Sequence, residues 1–247
     1  MRAQVADVVP SSLVDGPGNR YVVFLQGCTF NCVACHNPHT IPVRGTPTSR
    51  WIEVDELVEE IAAAAPFLSG VTVSGGEATL QWEVVHELFE CLALDRRTSR
   101  LTRLVDSNGD ADPEVWEVLA TSMHGAMVDL KALDPEVHVT LTGRGNDRVL
   151  ASIADLSRRS RLHEVRLLVV PGVNDSTEQL VATARWLGAL RPVPSVVVQG
   201  FRHDGTRPAA RAWPEATPDD LARVVAALVD GGLPTERVAD RGVPALA

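Results

Sequence analysis

Three of the four cysteines, Cys28, Cys32 and Cys35, lie within one short loop with the spacing C-x3-C-x2-C. Thiolates are the usual ligands of iron–sulfur clusters, and such clusters ordinarily take four ligands from the protein. Three thiolates would leave one iron with an open position, which a catalytic metal centre needs and a structural one lacks. The spacing therefore favours a cuboidal iron–sulfur cluster that is held at three corners.

Two other interpretations of these cysteines remain open. His36 or His39 could complete a Cys3His zinc site, because C-x2–4-C is a common zinc half-site. The thiols could also be inert and buried, although a loop that contains Asn, Pro and His is a polar setting for such residues. The fourth cysteine, Cys91, falls in an amphipathic stretch and is expected to be a small buried hydrophobe.

Short apolar, β-branched runs alternate with stretches of helical periodicity along the chain. The predicted strands are 21–27, 71–76, 101–109, 126–131, 164–172 and 194–201. The predicted helices are 54–65, 80–94, 112–122, 146–159, 176–190 and 217–230. Nearly continuous apolar strands suit a sheet that is buried on both faces. Because a repeated strand–helix order produces parallel strands with right-handed crossovers, the fold class is α/β, either an open doubly wound sheet or a barrel.

Glycine and polar residues follow five of these runs. They are Gly27-Cys28, Ser74 to Glu77, Asp106 to Gly109, Asp129 with Lys131, and Gln199-Gly200. Because parallel α/β folds bind ligands at the carboxyl ends of their strands, this pattern predicts one functional rim. Lys131 is the only lysine among 23 basic residues. We therefore expect it to lie where a compact ammonium group is needed and a planar guanidinium will not serve.

Composition excludes several classes of function. The formal net charge of −9 argues against a broad nucleic-acid interface, which needs a basic surface. No apolar run is long enough to span a membrane, and the first residues do not have the pattern of a signal peptide. Few cysteines, clustered in one loop, indicate a reducing compartment, so we expect a cytoplasmic protein.

Several segments together resemble the radical S-adenosylmethionine (SAM) superfamily, and within it the glycyl-radical enzyme activases of the pyruvate formate-lyase activating type. The segments are DGPGNRYVVFLQGC, CHNPHT, VTVSGGEATLQ, DSNG, MVDLKALDPEVHVTLTG and VRLLVVPGVND. They occur in the family's order and spacing between residues 11 and 180. The segments VSGGEAT and QGFRHDG look most like the YjjW-type subgroup.

The resemblance implies a fold, a cofactor set and a reaction. The fold would be a partial (β/α)6 TIM-like barrel of parallel strands, open on one side. It would form a single radical SAM domain over residues 1–247, with a core of about 20–201 and a C-terminal helix and tail in 202–247. Cys28, Cys32 and Cys35 would hold a [4Fe–4S] cluster. SAM would chelate the remaining iron, and its reductive cleavage would yield a radical that removes hydrogen from a backbone glycine of a partner enzyme.

The resemblance also assigns roles to residues outside the cysteine loop. The residues that would bind SAM are Gly75, Gly76, Glu77, Asp106, Ser107, Asp129, Lys131, Arg166 and His203. Glu77 would lie near the SAM ammonium group and Lys131 near the SAM carboxylate. A small monovalent cation beside that carboxylate would be held by Asp106, Ser107, Met127 and Asp129. The target glycine peptide would face Asp15, Gly16, Pro17 and Gly18, a segment that by itself also suits an ordinary loop.

The chain departs from the family's pattern at four places. Ala34 replaces a residue that is often aromatic and near the adenine, and Ala78 replaces the usual proline. Arg202 or His203 stands where the pyruvate formate-lyase type has a SAM-contacting histidine. The chain also lacks the ferredoxin-like insert of the YjjW type, because no cysteine lies between Cys35 and Glu77. We therefore expect one cluster, reduced directly by a flavodoxin- or ferredoxin-type donor.

The expected partner is a glycyl-radical enzyme, and the chain is expected to act as a monomer. Two other functions remain possible at this point. The same radical chemistry could act on a small molecule or a ribosomal peptide, because the chain is short and its QGFRHDG segment is altered. A non-enzymatic zinc-binding interaction protein is the third possibility, if the cysteine loop binds zinc.

Overall fold

The computed structural model of this protein describes residues 1–241. In this part of the chain the strands are β1 (Arg2–Ser12), β2 (Arg20–Leu25), β3 (Arg50–Glu53), β4 (Gly70–Gly75), β5 (Thr102–Ser107), β6 (Gly125–Asp129), β7 (Leu162–Val169), β8 (Val196–Gly200) and β9 (Val238–Asp240). The helices are α1 (Val54–Ala64), α2 (Trp82–Leu94), α3 (Pro113–Ser122), α4 (Pro135–Thr142), α5 (Asp147–Arg158), α6 (Thr177–Ala189) and α7 (Pro218–Asp230). All six predicted strands and all six predicted helices are present.

The strands form a mostly parallel sheet in the order β3-β1-β2-β4-β5-β6-β7-β8-β9, which is not closed into a barrel. The pairs β2–β4, β4–β5, β7–β8 and β8–β9 are parallel. The two pairs that involve β1 are antiparallel. The prediction of an α/β fold built from parallel strands and open on one side is thus confirmed.

The contacts of the chain divide it into two compact units. The first unit comprises residues 1–29, 39–107 and 111–127, and the described part of the second comprises 30–38, 108–110 and 128–241. Buried side chains of the first unit include Val22, Val71, Phe89 and Trp116, which belong to strands and to the inward faces of α2 and α3. The second unit has its own core, in which Phe201 is fully buried.

Four elements were not predicted from the sequence: the strands β1, β3 and β9 and the helix α4. β1 has alternating burial, with Ala3 and Val5 fully buried, and pairs antiparallel with β2. α4 is short and rich in β-branched residues, which have low helix propensity. Its ends are nevertheless well defined, because the Asp134 carboxylate accepts hydrogen bonds from two backbone N–H groups and Gly143 ends the helix in the left-handed conformation.

The prediction of a single domain over residues 1–247 remains a prediction, and residues 242–247 lie outside the described part of the chain. The predicted C-terminal helix corresponds to α7. Thr217 begins α7 with a capping box that involves Asp220, as its Thr-Pro sequence suggests. Among residues 1–241, none of the helices combines the length and the apolar character that crossing a membrane requires.

Candidate functional site

In the first unit, backbone hydrogen bonds fix the start of the cysteine loop. The N–H of Gly27 donates to the carbonyl of Thr40 at 2.8 Å, and the N–H of Cys28 donates to that of Ile41 at 3.1 Å. These backbone hydrogen bonds fix the start of the loop after β2. The buried Gln26 Oε1, two residues before Cys28, has no donor within residues 1–241.

The turn after β4 packs directly against this start of the cysteine loop. The N–H of Glu77 donates to the carbonyl of Gly27 at 2.7 Å. A Cβ atom at position 76 would lie 2.2 Å from the carbonyl oxygen of Gly27 and 2.6 Å from that of Thr40. Only glycine permits this approach, so Gly76 allows the turn after β4 to contact Gly27, the residue that precedes Cys28.

We expect Gly76→Ala to lower the free energy of unfolding by about 2–3 kcal/mol, because the added methyl group meets backbone atoms that cannot move independently. Since those atoms precede Cys28, iron uptake should fall as well. Gly188→Ala is the matched control, because a Cβ there has no neighbour closer than 3.7 Å and the residue lies in α6. Denaturant unfolding and iron analysis measure both effects, and equal behaviour of the two variants would contradict the steric argument.

The ends of β4 and β5 carry three of the predicted SAM residues whose side chains are held by hydrogen bonds, Glu77, Asp106 and Ser107. The Glu77 side chain is buried, and its Oε1 accepts hydrogen bonds from the Thr79 N–H at 2.9 Å, the Thr79 hydroxyl at 2.7 Å and the Ser107 hydroxyl at 2.7 Å. The Ser74 hydroxyl donates to Asp106 Oδ2 at 2.9 Å. Two carboxylates are therefore held in fixed orientations at one end of the first unit's strands. Met127 of the same unit is fully buried.

The Asp15–Gly18 turn is tied to the opposite ends of these strands by Arg20, whose side chain is fully buried. The Arg20 guanidinium donates to the Thr72 hydroxyl at 2.5 Å and to the Pro17 carbonyl at 3.3 Å. The Thr72 hydroxyl donates to the Asp15 carbonyl at 2.7 Å. Alternate strand residues share a face, so Thr72 and Ser74 point to the same side of the sheet. The turn thus lies on the face that carries Ser74 and Asp106.

In the second unit, Lys131 forms an ion pair with Asp129, with Nζ 2.7 Å from Oδ2. Burial by itself lowers the pKa of Lys131, but the Asp129 carboxylate and the Cys32 sulfur outweigh it and raise the pKa above its ordinary value. Lys131 is therefore a permanent cation at neutral pH. Two predicted ligands of SAM, one anionic and one cationic, lie side by side here.

Arg166 lies in β7 of the same unit and is buried together with Glu164. Its Nε donates to Glu164 Oε1 at 2.8 Å, and the Glu164 carboxylate also accepts from Arg241 at 3.0 Å. The backbone carbonyl of Arg166 accepts from the N–H of Leu130 at 2.9 Å. These bonds hold Arg166 beside the strand that precedes Lys131. The prediction that Arg166 binds SAM remains a prediction.

Cys32 and Cys35 belong to the second unit and are free thiols. Burial raises the pKa of Cys32 to about 11, although the positive charge of Lys131 opposes this rise. Burial also raises the pKa of Cys35, against the effects of the Asn37 backbone, Lys131 and Arg207. Because iron binds thiolates, binding of iron by these residues would release their protons, and the adjacent cations favour that release.

Ala34 lies between these cysteines and is buried against Phe201, Leu141 and Val170, with Trp213 at the edge of the same cluster. His203 Nε2 lies 2.8 Å from the Trp213 carbonyl oxygen, and the His203 ring packs edge-on against the Phe201 ring. The assignment of His203 to SAM remains a prediction.

A [4Fe–4S] cluster fits the donors that the loop presents. Among residues 1–241 no group of three or more His, Cys, Asp or Glu side chains is arranged to hold a single metal ion. A cuboidal cluster makes a different demand, because each thiolate binds its own iron. Cys28, Cys32 and Cys35 form no disulfide and are partly exposed. The Arg207 Nε is a buried donor that has no acceptor in the described part of the chain, and cluster sulfur would supply one.

Comparisons with known proteins identify the family of the chain. The model of the radical SAM superfamily matches residues 22–187. The chain is 33% identical over 214 residues to the pyruvate formate-lyase-activating enzyme of Staphylococcus aureus strain USA300, covering 83% of each chain. It is 30% identical over 215 residues to that of Staphylococcus epidermidis, again with 83% of each chain.

Solved structures share the fold. A domain of pyruvate-formate lyase-activating enzyme from Bacteroides vulgatus matches with a TM-score of 0.57 and 23% identity, over 70% of this chain and 99% of that one. A radical SAM methyltransferase from Sphaerobacter thermophilus matches with a TM-score of 0.69 and 17% identity, over 90% of this chain and 66% of that one. The chain is a member of the radical SAM superfamily. Within it, the chain belongs to the family of pyruvate formate-lyase-activating enzymes.

Three residues that make important contacts in the structure were not identified from the sequence. Arg20 begins a strand, where an arginine ordinarily lies at the rim, yet it is fully buried. Arg207 and His138 contact the cysteine loop from distant parts of the chain, through Asn31 and Phe30 respectively. The one available hint was the segment MVDLKALDPEVHVTLTG itself, which carries His138 within a motif of the resemblance.

Proposed function

We propose that this protein activates a glycyl-radical enzyme by generating a radical on one of that enzyme's backbone glycines. Cys28, Cys32 and Cys35 would hold the [4Fe–4S] cluster, and SAM would occupy the iron that has no cysteine. When bound, the cluster supplies one electron, which cleaves SAM into methionine and a 5′-deoxyadenosyl radical that takes a hydrogen atom from the glycine. The observation that carries the proposal is family membership at 33% identity over most of the chain, combined with three cysteines in one loop that form no disulfide.

The residues of this chain would bind and orient SAM. Lys131, held by Asp129, is a permanent cation for the SAM carboxylate. Glu77 is anchored by Thr79 and Ser107, so its charge is fixed at the turn that follows β4. Fixed charges need no reorganisation when the ligand arrives, which favours binding in one orientation. Asp106, Ser107, Met127 and Asp129 are proposed to hold a monovalent cation, since hard oxygen ligands suit one.

The Asp15–Gly18 turn would face the target glycine peptide. It lies on the sheet face that carries Ser74 and Asp106, and Arg20 and Thr72 hold its carbonyl groups. Pro17 and Gly18 are exposed, so their backbone can face an extended peptide. The electron donor is proposed to be a cytoplasmic flavodoxin- or ferredoxin-type protein. The protein would act as a monomer.

The test is activation of a partner. Pyruvate formate-lyase is the first partner to use, because the relatives are named for its activation. Anaerobically reconstituted protein, SAM and dithionite should produce 5′-deoxyadenosine and a glycine-centred doublet in the EPR spectrum of the partner. SAM cleavage with no doublet on any glycyl-radical enzyme would favour a small-molecule or peptide substrate. Zinc without iron or acid-labile sulfide would favour a binding protein.

A further inference from the structure

The chain that follows β8 contacts the second half of the cysteine loop inside the second unit. Arg207 Nη1 donates to Asn31 Oδ1 at 2.7 Å, and Nη2 donates to the Asn31 carbonyl at 2.8 Å. The same Nη2 donates a very short hydrogen bond to the Cys32 carbonyl. One guanidinium thus binds the carbonyls of both peptide bonds that flank Cys32, the one before it and the one after it. Residues 202–207 are called the clasp below.

The clasp also contacts the far end of this part of the loop. His36 Nε2 lies 3.2 Å from the Arg202 carbonyl. Gly205 adopts a φ of +73°, and a Cβ atom there would lie 2.7 Å from the His36 carbonyl oxygen. The clasp therefore contacts the loop on either side of Cys32 and Cys35, and both the close approach and the backbone conformation require glycine at position 205.

The charge of Arg207 acts on the same loop. Its positive charge favours the thiolate form of Cys35, against the effect of burial. Its Nε is buried and has no acceptor within residues 1–241. A buried donor of a charged group ordinarily has a partner. An anionic sulfur ligand of the cysteine loop would satisfy this donor and would gain from the adjacent charge.

We propose that Arg207 is a positioning residue for the cluster, which holds residues 31–36 in place before iron binds and favours the reduced cluster by its positive charge. The proposal rests on the proposed function, because it assigns the loop to a [4Fe–4S] cluster. Its two parts are separable. The hydrogen bonds of the planar guanidinium hold the backbone, whereas the charge acts on the additional electron that the cluster accepts.

The first test measures the loop without metal. The N–H groups of Asn31, Val33 and Cys35 are hydrogen-bonded to backbone carbonyls, so their hydrogen exchange is measurable. In metal-free Arg207→Gln these amides should exchange about tenfold faster, since the charge-assisted bonds to Asn31 and Cys32 are lost. The control is Arg211→Gln, which changes an exposed arginine four residues further on. Unchanged exchange in Arg207→Gln would overturn the positioning role.

The second test measures the reduction potential of the reconstituted cluster. Arg207→Gln should shift the midpoint potential to a more negative value, because the reduced cluster loses an adjacent positive charge. Arg207→Lys keeps the charge without the planar set of donors, so it should restore the potential but not the slow exchange. Equal potentials in wild type and Arg207→Gln would overturn the electrostatic role. If the wild type takes up no iron and sulfide, the proposed function fails, whereas the exchange result still decides whether Arg207 holds the loop.

Discussion

Cys32→Ser is expected to remove the cluster and to abolish reductive SAM cleavage, with a loss of at least about 100-fold. Even residues that only support metal ligands typically cost 10–100-fold when they are replaced, and a direct ligand should cost more. The loop has three cysteines and the chain's fourth, Cys91, lies in α2. We therefore expect the same loss for serine at position 28 or 35. Iron and sulfide content and 5′-deoxyadenosine formation measure the effect.

Cys91→Ser is the matched control for these three variants. Cys91 is a partly exposed thiol of α2, and no proposed ligand role involves it. It should leave iron content and SAM cleavage at the wild-type level. Full cluster content in any of the three loop variants would show that the assigned cysteine is not a ligand. Loss of the cluster in Cys91→Ser would show that the ligand set is incomplete.

Arg20→Gln is expected to destabilise the fold by about 3 kcal/mol and to loosen the Asp15–Gly18 turn. The buried guanidinium donates to the Thr72 and Thr102 hydroxyls and to the Val71, Thr102 and Pro17 carbonyls. Glutamine cannot reach this set of acceptors, and buried acceptors without donors are costly. Burial lowers the pKa of Arg20 to about 10, so the side chain remains charged at neutral pH. Urea unfolding measures the loss.

Arg50→Gln is the control, because it replaces an exposed arginine at the start of β3. It should change the free energy of unfolding by less than about 0.5 kcal/mol, as surface substitutions usually do. Hydrogen exchange of residues 13–19 reports the turn itself and should rise only in Arg20→Gln. A stable Arg20→Gln protein with an unchanged turn would contradict the view that Arg20 holds the surface proposed for the target peptide.

The sheet and its helices could be predicted because their pattern is local. Apolar β-branched runs followed by polar strand ends define six strands, and the spacing of apolar residues defines six helices. β1 was not predicted from the sequence, because its place in the sheet depends on antiparallel pairing with β2 rather than on its own residues. α4 was not predicted because Val137, Val139 and Thr140 are poor helix formers. Its stability comes from its caps and its packing.

The site could be predicted only as far as its residues are adjacent in sequence. The spacing of the three cysteines and the resemblance of the surrounding motifs assign the cofactors. Contacts between distant residues could not be predicted, such as the bond from Ser107 to Glu77 or from Arg207 to Cys32. Ala34 illustrates the difference. Its small size was a departure from the family's pattern, and the reason that it is tolerated, packing against Phe201, lies more than 160 residues away.

The most direct measurement follows one hydrogen atom. A glycyl-radical enzyme such as pyruvate formate-lyase, prepared with glycine deuterated at the α-carbon, would be incubated anaerobically with this protein, SAM and dithionite. We expect one deuterium to appear at the 5′ carbon of 5′-deoxyadenosine for each glycyl radical formed. Formation of 5′-deoxyadenosine that contains no deuterium, with no radical on the partner, would contradict the claim that a protein glycine is the substrate.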